Sequence, residues 1–268
     1  MQGVKEYEKN GVHVLRIHYS ADPDKRTDEW KAEQQRGMSK AMWDREYEIK
    51  FDVITGKAWF AEFRADFHVA AEPLGPIEGR PVFRGWDYGL TPATVFAQTT
   101  TKGQLIILYP ELQSWDSGIT AHGLVVRSES ATYFPGWTFI DYGDPAGNTR
   151  SQNDEKTAND ILREKYGINV QPGPVAELAR HEAIRHYLTT LTPDGAPMLL
   201  IDPRCTFLIR ALGGGYQHRC VADKYLDVVA DNEYTHIVDG LGYMAAMING
   251  AAGRRPWNSG RSKASGTL

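Results

Sequence analysis

The sequence predicts an α/β fold: a mixed sheet opened by three antiparallel strands, completed by β-α units and flanked by helices. Three observations carry this expectation. Runs rich in β-branched and aromatic residues occupy 82–86, 93–99 and 104–112, separated only by Gly89-Leu90-Thr91-Pro92 and Thr101-Lys102-Gly103, and connections that short join antiparallel neighbours. From residue 117 to 249 helical and strand-like segments alternate, as crossovers packed on a sheet do. The chain has 268 residues, 41% of them hydrophobic, enough to build a real core.

In chain order, Val-His-Val-Leu-Arg-Ile-His-Tyr at 12–19 alternates apolar with polar and predicts a half-buried strand. The spacing of Trp30, Met38, Met42, Trp43 and Tyr47 suits helices over 27–49 broken near Gly37, and 51–60 reads as extended around Gly56. Three prolines and two glycines between Glu72 and Pro81 mark a linker. The three strands follow, with antiparallel pairs expected at one side of the sheet. A helix is then expected over 117–129, a strand over 137–141, a helix over 155–166 with Asp154 or Asn153 near its cap, and a strand over 168–171. Further helices are expected over 176–191, 205–212 and 236–249, a strand over 198–201, and a polar hairpin or loop over 216–232. Residues 253–268 hold Arg254, Arg255, Arg261 and Lys263, no acid and little apolar content, the composition of a disordered basic tail.

A net charge of −4 and a pI near 6.1 argue against gripping nucleic acid by overall positive charge, though a cluster of carboxylates with a local basic rim remains compatible with it. Cys205 and Cys220 are too few for a disulfide framework and lack zinc-ligand spacing, which suits a reducing cytoplasm. No signal peptide is expected, and no apolar run approaches the roughly 20 residues that span a bilayer.

The chemistry is expected from three carboxylates. Asp87 ends the first strand, in Gly85-Trp86-Asp87-Tyr88-Gly89. Asp144 follows a later one, in Gly143-Asp144-Pro145-Ala146-Gly147, with Asp141 as its alternative across the Gly143 turn. Asp239 opens the last helix, with His236 one helical turn before it on the same face. Each has a plainer explanation: Asp87 and Asp144 as turn formers, Asp239 as an acid favoured by the helix dipole, His236 as a packed or capping residue. Together they supply the oxygen ligands that two Mg²⁺ or Mn²⁺ ions need to cut a phosphodiester without a covalent intermediate.

Those three motifs, with Tyr234-Thr235-His236-Ile237-Val238-Asp239-Gly240-Leu241-Gly242-Tyr243 the most specific, resemble the acidic motifs of the nuclease domain of tailed-bacteriophage terminase large subunits. Trp30, the run Trp43-Asp44-Arg45-Glu46-Tyr47-Glu48 and Phe51 resemble the stretch that joins the terminase motor to that nuclease. The resemblance implies a ribonuclease H-like fold over 81–252, preceded by a strand and helical segment with a linker over 1–80. It also implies that Asp87, Asp144 and Asp239 are catalytic metal ligands, Asp87 the bridging one, with His236 in support. The implied activity is endonucleolytic cutting of concatemeric phage DNA in the cytoplasm of the infected bacterium. The implied partners are double-stranded DNA, the terminase ATPase domain or subunit, the small terminase subunit and the portal. No Gly-x-x-x-x-Gly-Lys-[Ser/Thr] phosphate loop occurs, so the motor is expected on another segment or subunit.

Among the basic residues Arg150, Arg163, Lys165, Arg180, Arg185, Arg204, Arg210 and Arg219, most are expected to be solvated surface, and Arg150, just past the second motif, to meet a DNA phosphate. Two other functional classes compete. Asp87-Tyr88-Gly89-Leu90-Thr91 approximates the phosphate turn of actin-like and sugar-kinase ATPases, but those proteins duplicate a three-strand unit found once here. A catalytically silent docking module that binds the motor, the portal or DNA is the other.

Overall fold

The computed structural model describes residues 3–9, 12–36, 43–44, 47–49, 56–149, 156–222 and 224–252. Arg150, Phe51, Arg45, Glu46, Asn153, Asp154 and the tail from 253 lie outside them. The chain divides into two units, Met1–Lys57 and Ala58–Leu268. Among the described residues no helix is long and apolar enough to cross a membrane.

In the first unit, β2 (Val12–Ile17) pairs antiparallel with β1 (Val4–Lys9) in a register running from Val4 opposite Ile17 to Lys9 opposite Val12. Strand β2 alternates exposed with partly buried residues as a half-buried strand does, with Val14 and Arg16 on the covered face and Leu15 and Ile17 on the open one. Helix α1 (Asp28–Gln34) starts at Thr27, whose hydroxyl accepts the Trp30 N–H. The rings of Tyr19, Trp30, Trp43 and Tyr47 gather into one cluster, Trp43 and Tyr47 stacked 4.4 Å apart.

The second unit is built on a six-stranded sheet in the order β7-β6-β3-β4-β5-β8. Strands β3 (Val82–Asp87), β4 (Ala93–Thr99) and β5 (Leu105–Gln113) run antiparallel. Strand β6 (Phe139–Gly143) is parallel to β3, and β7 (Val170–Pro172) is parallel to β6. Strand β8 (Leu199–Ile201) adds parallel to β5. The antiparallel trio is therefore central, with parallel strands at both edges, because the 198–201 strand docks beyond β5.

The apolar runs of these strands are buried on both sides, and period-two alternation divides each between two cores. Val95, Ala97, Leu105 and Ile107 face one layer, formed by α5 (Glu177–Thr189), α6 (Thr206–Arg210) and α7 (Thr235–Ala252). Val82, Trp86, Phe96, Ile106 and Leu108 face α3 (Ile119–Tyr133) and α4 (Ala158–Tyr166). Residues 58–80 also pack on this unit: Phe60 joins the α5–α7 core, short α2 (Ala65–His68) places His68 Nε2 3.1 Å from the Leu188 carbonyl, and the Leu74 N–H donates to Asp202.

Two local differences from the sequence expectation have clear causes. Helix α4 is capped by Thr157, whose hydroxyl accepts the Asp160 N–H while Asp160 accepts the Thr157 N–H, a reciprocal capping box. Strand β6 runs two residues later than expected, which places Asp141 inside the strand instead of at its end. Within the expected 216–232 segment, β9 (His218–Val221) and β10 (Lys224–Val229) pair antiparallel.

Candidate active site

Two glycines set the site. On β3, Arg84 and Trp86 point to the α3–α4 side while Gly85 and Asp87 point toward α7. A Cβ on Gly85 would lie 2.2 Å from the Gly240 carbonyl oxygen, and one on Gly240 would lie 3.1 Å from the Gly85 oxygen. The two backbones thus touch where α7 crosses β3. That crossing carries His236 and Asp239, one turn apart on α7, to the C-terminal end of β3, where Asp87 emerges.

Asp87 is 6% exposed, and its Oδ2 lies 2.7 Å from His236 Nδ1. Burial pushes its carboxyl above the ordinary range, more than the His236 hydrogen bond pulls it down, and the charge of Asp144 adds to the rise. The same hydrogen bond raises His236. Asp239 is raised to about 7, first by burial and then by Asp87, against the pull of Arg180. Asp144 follows β6, its N–H donating to the Trp86 carbonyl and its Oδ1 accepting the Ala146 N–H at 2.8 Å. The turn-forming role that the sequence allowed for Asp144 is thus realised at the 3-10 turn Pro145–Asn148, beside Asp87.

Asp87, Asp144 and Asp239 come from three separate elements, and Asp87 feels the charge of Asp144 while Asp239 feels that of Asp87. Each has one oxygen engaged: Asp87 Oδ2 with His236, Asp144 Oδ1 with Ala146, Asp239 Oδ1 with Tyr216 and Arg180. The other three oxygens accept no hydrogen bond among the described residues. This hard-oxygen donor set suits Mg²⁺ or Mn²⁺, and Asp87, the buried member, keeps one oxygen that a cation could engage. The present side-chain arrangement is a carboxylate cluster and not a closed cage, since among the described residues no three His, Cys, Asp or Glu side chains are disposed to hold one ion.

Asp141 is not part of the cluster. Its two oxygens accept hydrogen bonds from Arg84 Nε at 2.6 Å and Nη2 at 2.8 Å, and Trp86 Nε1 donates to it at 2.7 Å, all on the α3–α4 side of the sheet. This corrects Asp141 as a supporting residue or alternative second carboxylate: strand alternation turns it to the opposite face from Asp87. Arg84 in the middle of an apolar run was the available signal, because a buried guanidinium requires a buried acid.

Sequence reasoning also missed Arg180 and Tyr216. Arg180 was placed with the solvated basic residues, yet it is 8% exposed and its Nη2 lies 3.6 Å from Asp239 Oδ1. Tyr216 is 1% exposed and its hydroxyl is 3.5 Å from the same oxygen. Neither carries a local signal, since both reach Asp239 only through the packing of α5 and the segment after α6 on α7.

Among solved structures, the chain is similar to the large terminase of the thermophilic bacteriophage D6E, with a TM-score of 0.56 and 16% identity over 83% of this chain and 53% of that one. The same terminase in complex with ATP-gamma-S matches with a TM-score of 0.55 and 16% identity, over 85% and 54%. The nuclease domain of the P22 large terminase matches with a TM-score of 0.51 and 9% identity, over 71% of this chain and 91% of that domain. The chain thus spans about half the length of the D6E structures. No protein-family model and no curated protein sequence matches it. At these identities the likeness establishes the fold: a mixed α/β architecture of the ribonuclease H-like kind seen in terminase nuclease domains.

Proposed function

We propose that this chain is the DNA-cutting part of a packaging terminase, a divalent-metal-dependent endonuclease that hydrolyses concatemeric phage DNA in the cytoplasm of the infected bacterium. The observation that supports this most is that Asp87, buried at the end of β3 and hydrogen-bonded to His236, is electrostatically coupled both to Asp144 beyond β6 and to Asp239 on α7. Asp87, Asp144 and Asp239 would hold two Mg²⁺ or Mn²⁺ ions, which when bound supply Lewis acidity and a hydroxide nucleophile.

The residues of the chain do the rest. His236 fixes the rotamer of Asp87 through Oδ2 and, carrying a raised pKa, offsets part of its charge. The backbone of Asp144 is tied to Trp86 and its side chain to Ala146, so the second carboxylate is held by β6 and its turn. Double-stranded DNA is the proposed substrate. The ATPase domain or subunit, the small terminase subunit and the portal are the proposed partners, and Arg150 is proposed to meet a phosphate.

Digestion of supercoiled plasmid with Mg²⁺ or Mn²⁺ tests the proposal. Wild type is expected to cut, and Asp87→Ala, Asp144→Ala and Asp239→Ala each to lose at least about a hundredfold in rate while keeping the fold. Cutting retained by all three variants would refute the metal-nuclease assignment. A folded wild type that never cuts would leave a docking module.

A further inference from the structure

Around Asp239 the structure holds a buried layer that the fold alone does not require. Tyr216 directs its hydroxyl to Asp239 Oδ1 at 3.5 Å, and its oxygen lies 2.6 Å from His181 Nε2 on α5. His181 is 3% exposed and packed against the Trp59 ring at 4.7 Å, with Glu177 3.7 Å from the same nitrogen. Arg180, the neighbour of His181, donates from Nη1 to the Val175 carbonyl at 3.1 Å and lies over the Tyr243 ring at 4.6 Å. Its Nη2 is 3.6 Å from Asp239 Oδ1, while its Nε is buried with no hydrogen-bond partner among the described residues. Leaving a buried guanidinium N–H unpaired costs stability, so its ion pair with Asp239 and its bond to Val175 matter the more for holding this side chain in place. Both contacts to Asp239 converge on one oxygen.

We propose that Arg180 and Tyr216 are positioning residues that clamp Asp239 by Oδ1 and so present Oδ2 alone to a divalent cation, with His181 setting the direction of the Tyr216 hydroxyl. The direction follows from donor arithmetic. Tyr216 has one hydroxyl proton, and if Asp239 receives it, His181 Nε2 must donate to the Tyr216 oxygen. The clamp therefore requires the Nε2–H tautomer of His181. Partners behind a ligand commonly contribute ten- to a hundredfold in metal affinity. The inference rests on the nuclease assignment for its purpose, but its geometry can be read without metal.

The test combines Mn²⁺ calorimetry with nitrogen NMR of the histidines in the metal-free, full chain. Tyr216→Phe and Arg180→Gln are expected to weaken Mn²⁺ binding about tenfold or more, Arg180→Lys to restore part of the Arg180 loss, and wild type to show His181 as Nε2–H. Mn²⁺ binding by wild type that Tyr216→Phe and Arg180→Gln leave unchanged or tighten would overturn the clamp while leaving the nuclease assignment standing. Failure of wild type to bind Mn²⁺ would count against the nuclease assignment, and the clamp would then be decided by the tautomer: Nε2–H that changes in Tyr216→Phe supports it, Nδ1–H overturns it.

Discussion

At the scale of single residues, four buried or half-buried acids on neighbouring strands and one helix have different fates, and the partner of each decides which. Both oxygens of Asp141 are consumed by Arg84 and Trp86, so it ties β6 to its neighbour β3. Asp141→Ala leaves Arg84 buried and unpaired and is expected to cost about 3–5 kcal/mol in urea unfolding. Asp144→Ala, on an outer turn, is expected to cost less than about 1 kcal/mol while abolishing plasmid cutting. The reverse outcome, with Asp144→Ala unfolding the protein and Asp141→Ala only silencing it, would exchange their roles.

Asp239 gives a pH dependence of definite sign. Its carboxyl titrates near 7 in the folded protein, above the ordinary value of 3.8, so between about pH 4 and 7 the native state holds more protons than the unfolded one. Its contribution to stability therefore falls as pH rises through that window. His236, also raised, acts in the same sense. His122 and His181, each lowered to about 4 by burial as neutral rings, act in the opposite sense as pH falls below 6.5. The comparison of wild type with Asp239→Asn isolates the first effect. In metal-free buffer the variant is expected to match wild type only below about pH 4, to gain on it steadily as pH rises, and to exceed it at pH 8 by a margin on the order of a few kcal/mol. An Asp239→Asn protein that melts below wild type at pH 8 would show that the ionised carboxylate stabilises the fold.

At the scale of elements, the site depends on one helix crossing one strand without a side chain between them. Gly85→Ala would drive a methyl group into the Gly240 carbonyl, and neither backbone can yield without moving α7 off β3. A loss of about 3 kcal/mol or more is expected in urea, together with loss of cutting. Gly240→Ala needs a shift of only a few tenths of an ångström and is expected to cost about 1 kcal/mol or less. Equal costs for the two variants would mean that the crossing is not tight.

Elements whose apolar pattern suffices were legible in the sequence. Strands β3, β4 and β5 lie within a residue of their expected ends because each is a β-branched or aromatic run stopped by Gly or Pro. Strand β1 was not legible: Val-Lys-Glu-Tyr-Glu-Lys has almost no apolar signal and exists through its pairing with β2. The cap of α4 was misplaced by a few residues because the stretch before it offers several side chains able to cap, and only the reciprocal bond with Asp160 selects Thr157. Asp87, Asp144, Asp239 and His236 could be named from motif and position at element ends. Arg180 and Tyr216 could not, because the sequence does not state which face of α5 meets α7.

At the scale of the whole molecule, a net charge of −4 sits on a chain proposed to handle a polyanion. Affinity then has to come from local basic groups, and specificity from other subunits. Binding of the isolated chain to duplex DNA is expected to be weak, indifferent to sequence, and linear in log K against log salt with a negative slope, as counterion release dictates. Gel shift or anisotropy over a salt series measures this, and salt-independent binding would exclude a phosphate-contact mode.

The proposal that Asp87, Asp144 and Asp239 share a metal site is tested most directly by anomalous scattering from a crystal soaked in Mn²⁺. Density is expected between the free oxygens of these three carboxylates, and is expected to disappear in Asp87→Ala. Manganese bound elsewhere on a protein that still cuts DNA, or none bound at all by a protein that cuts, would contradict the account.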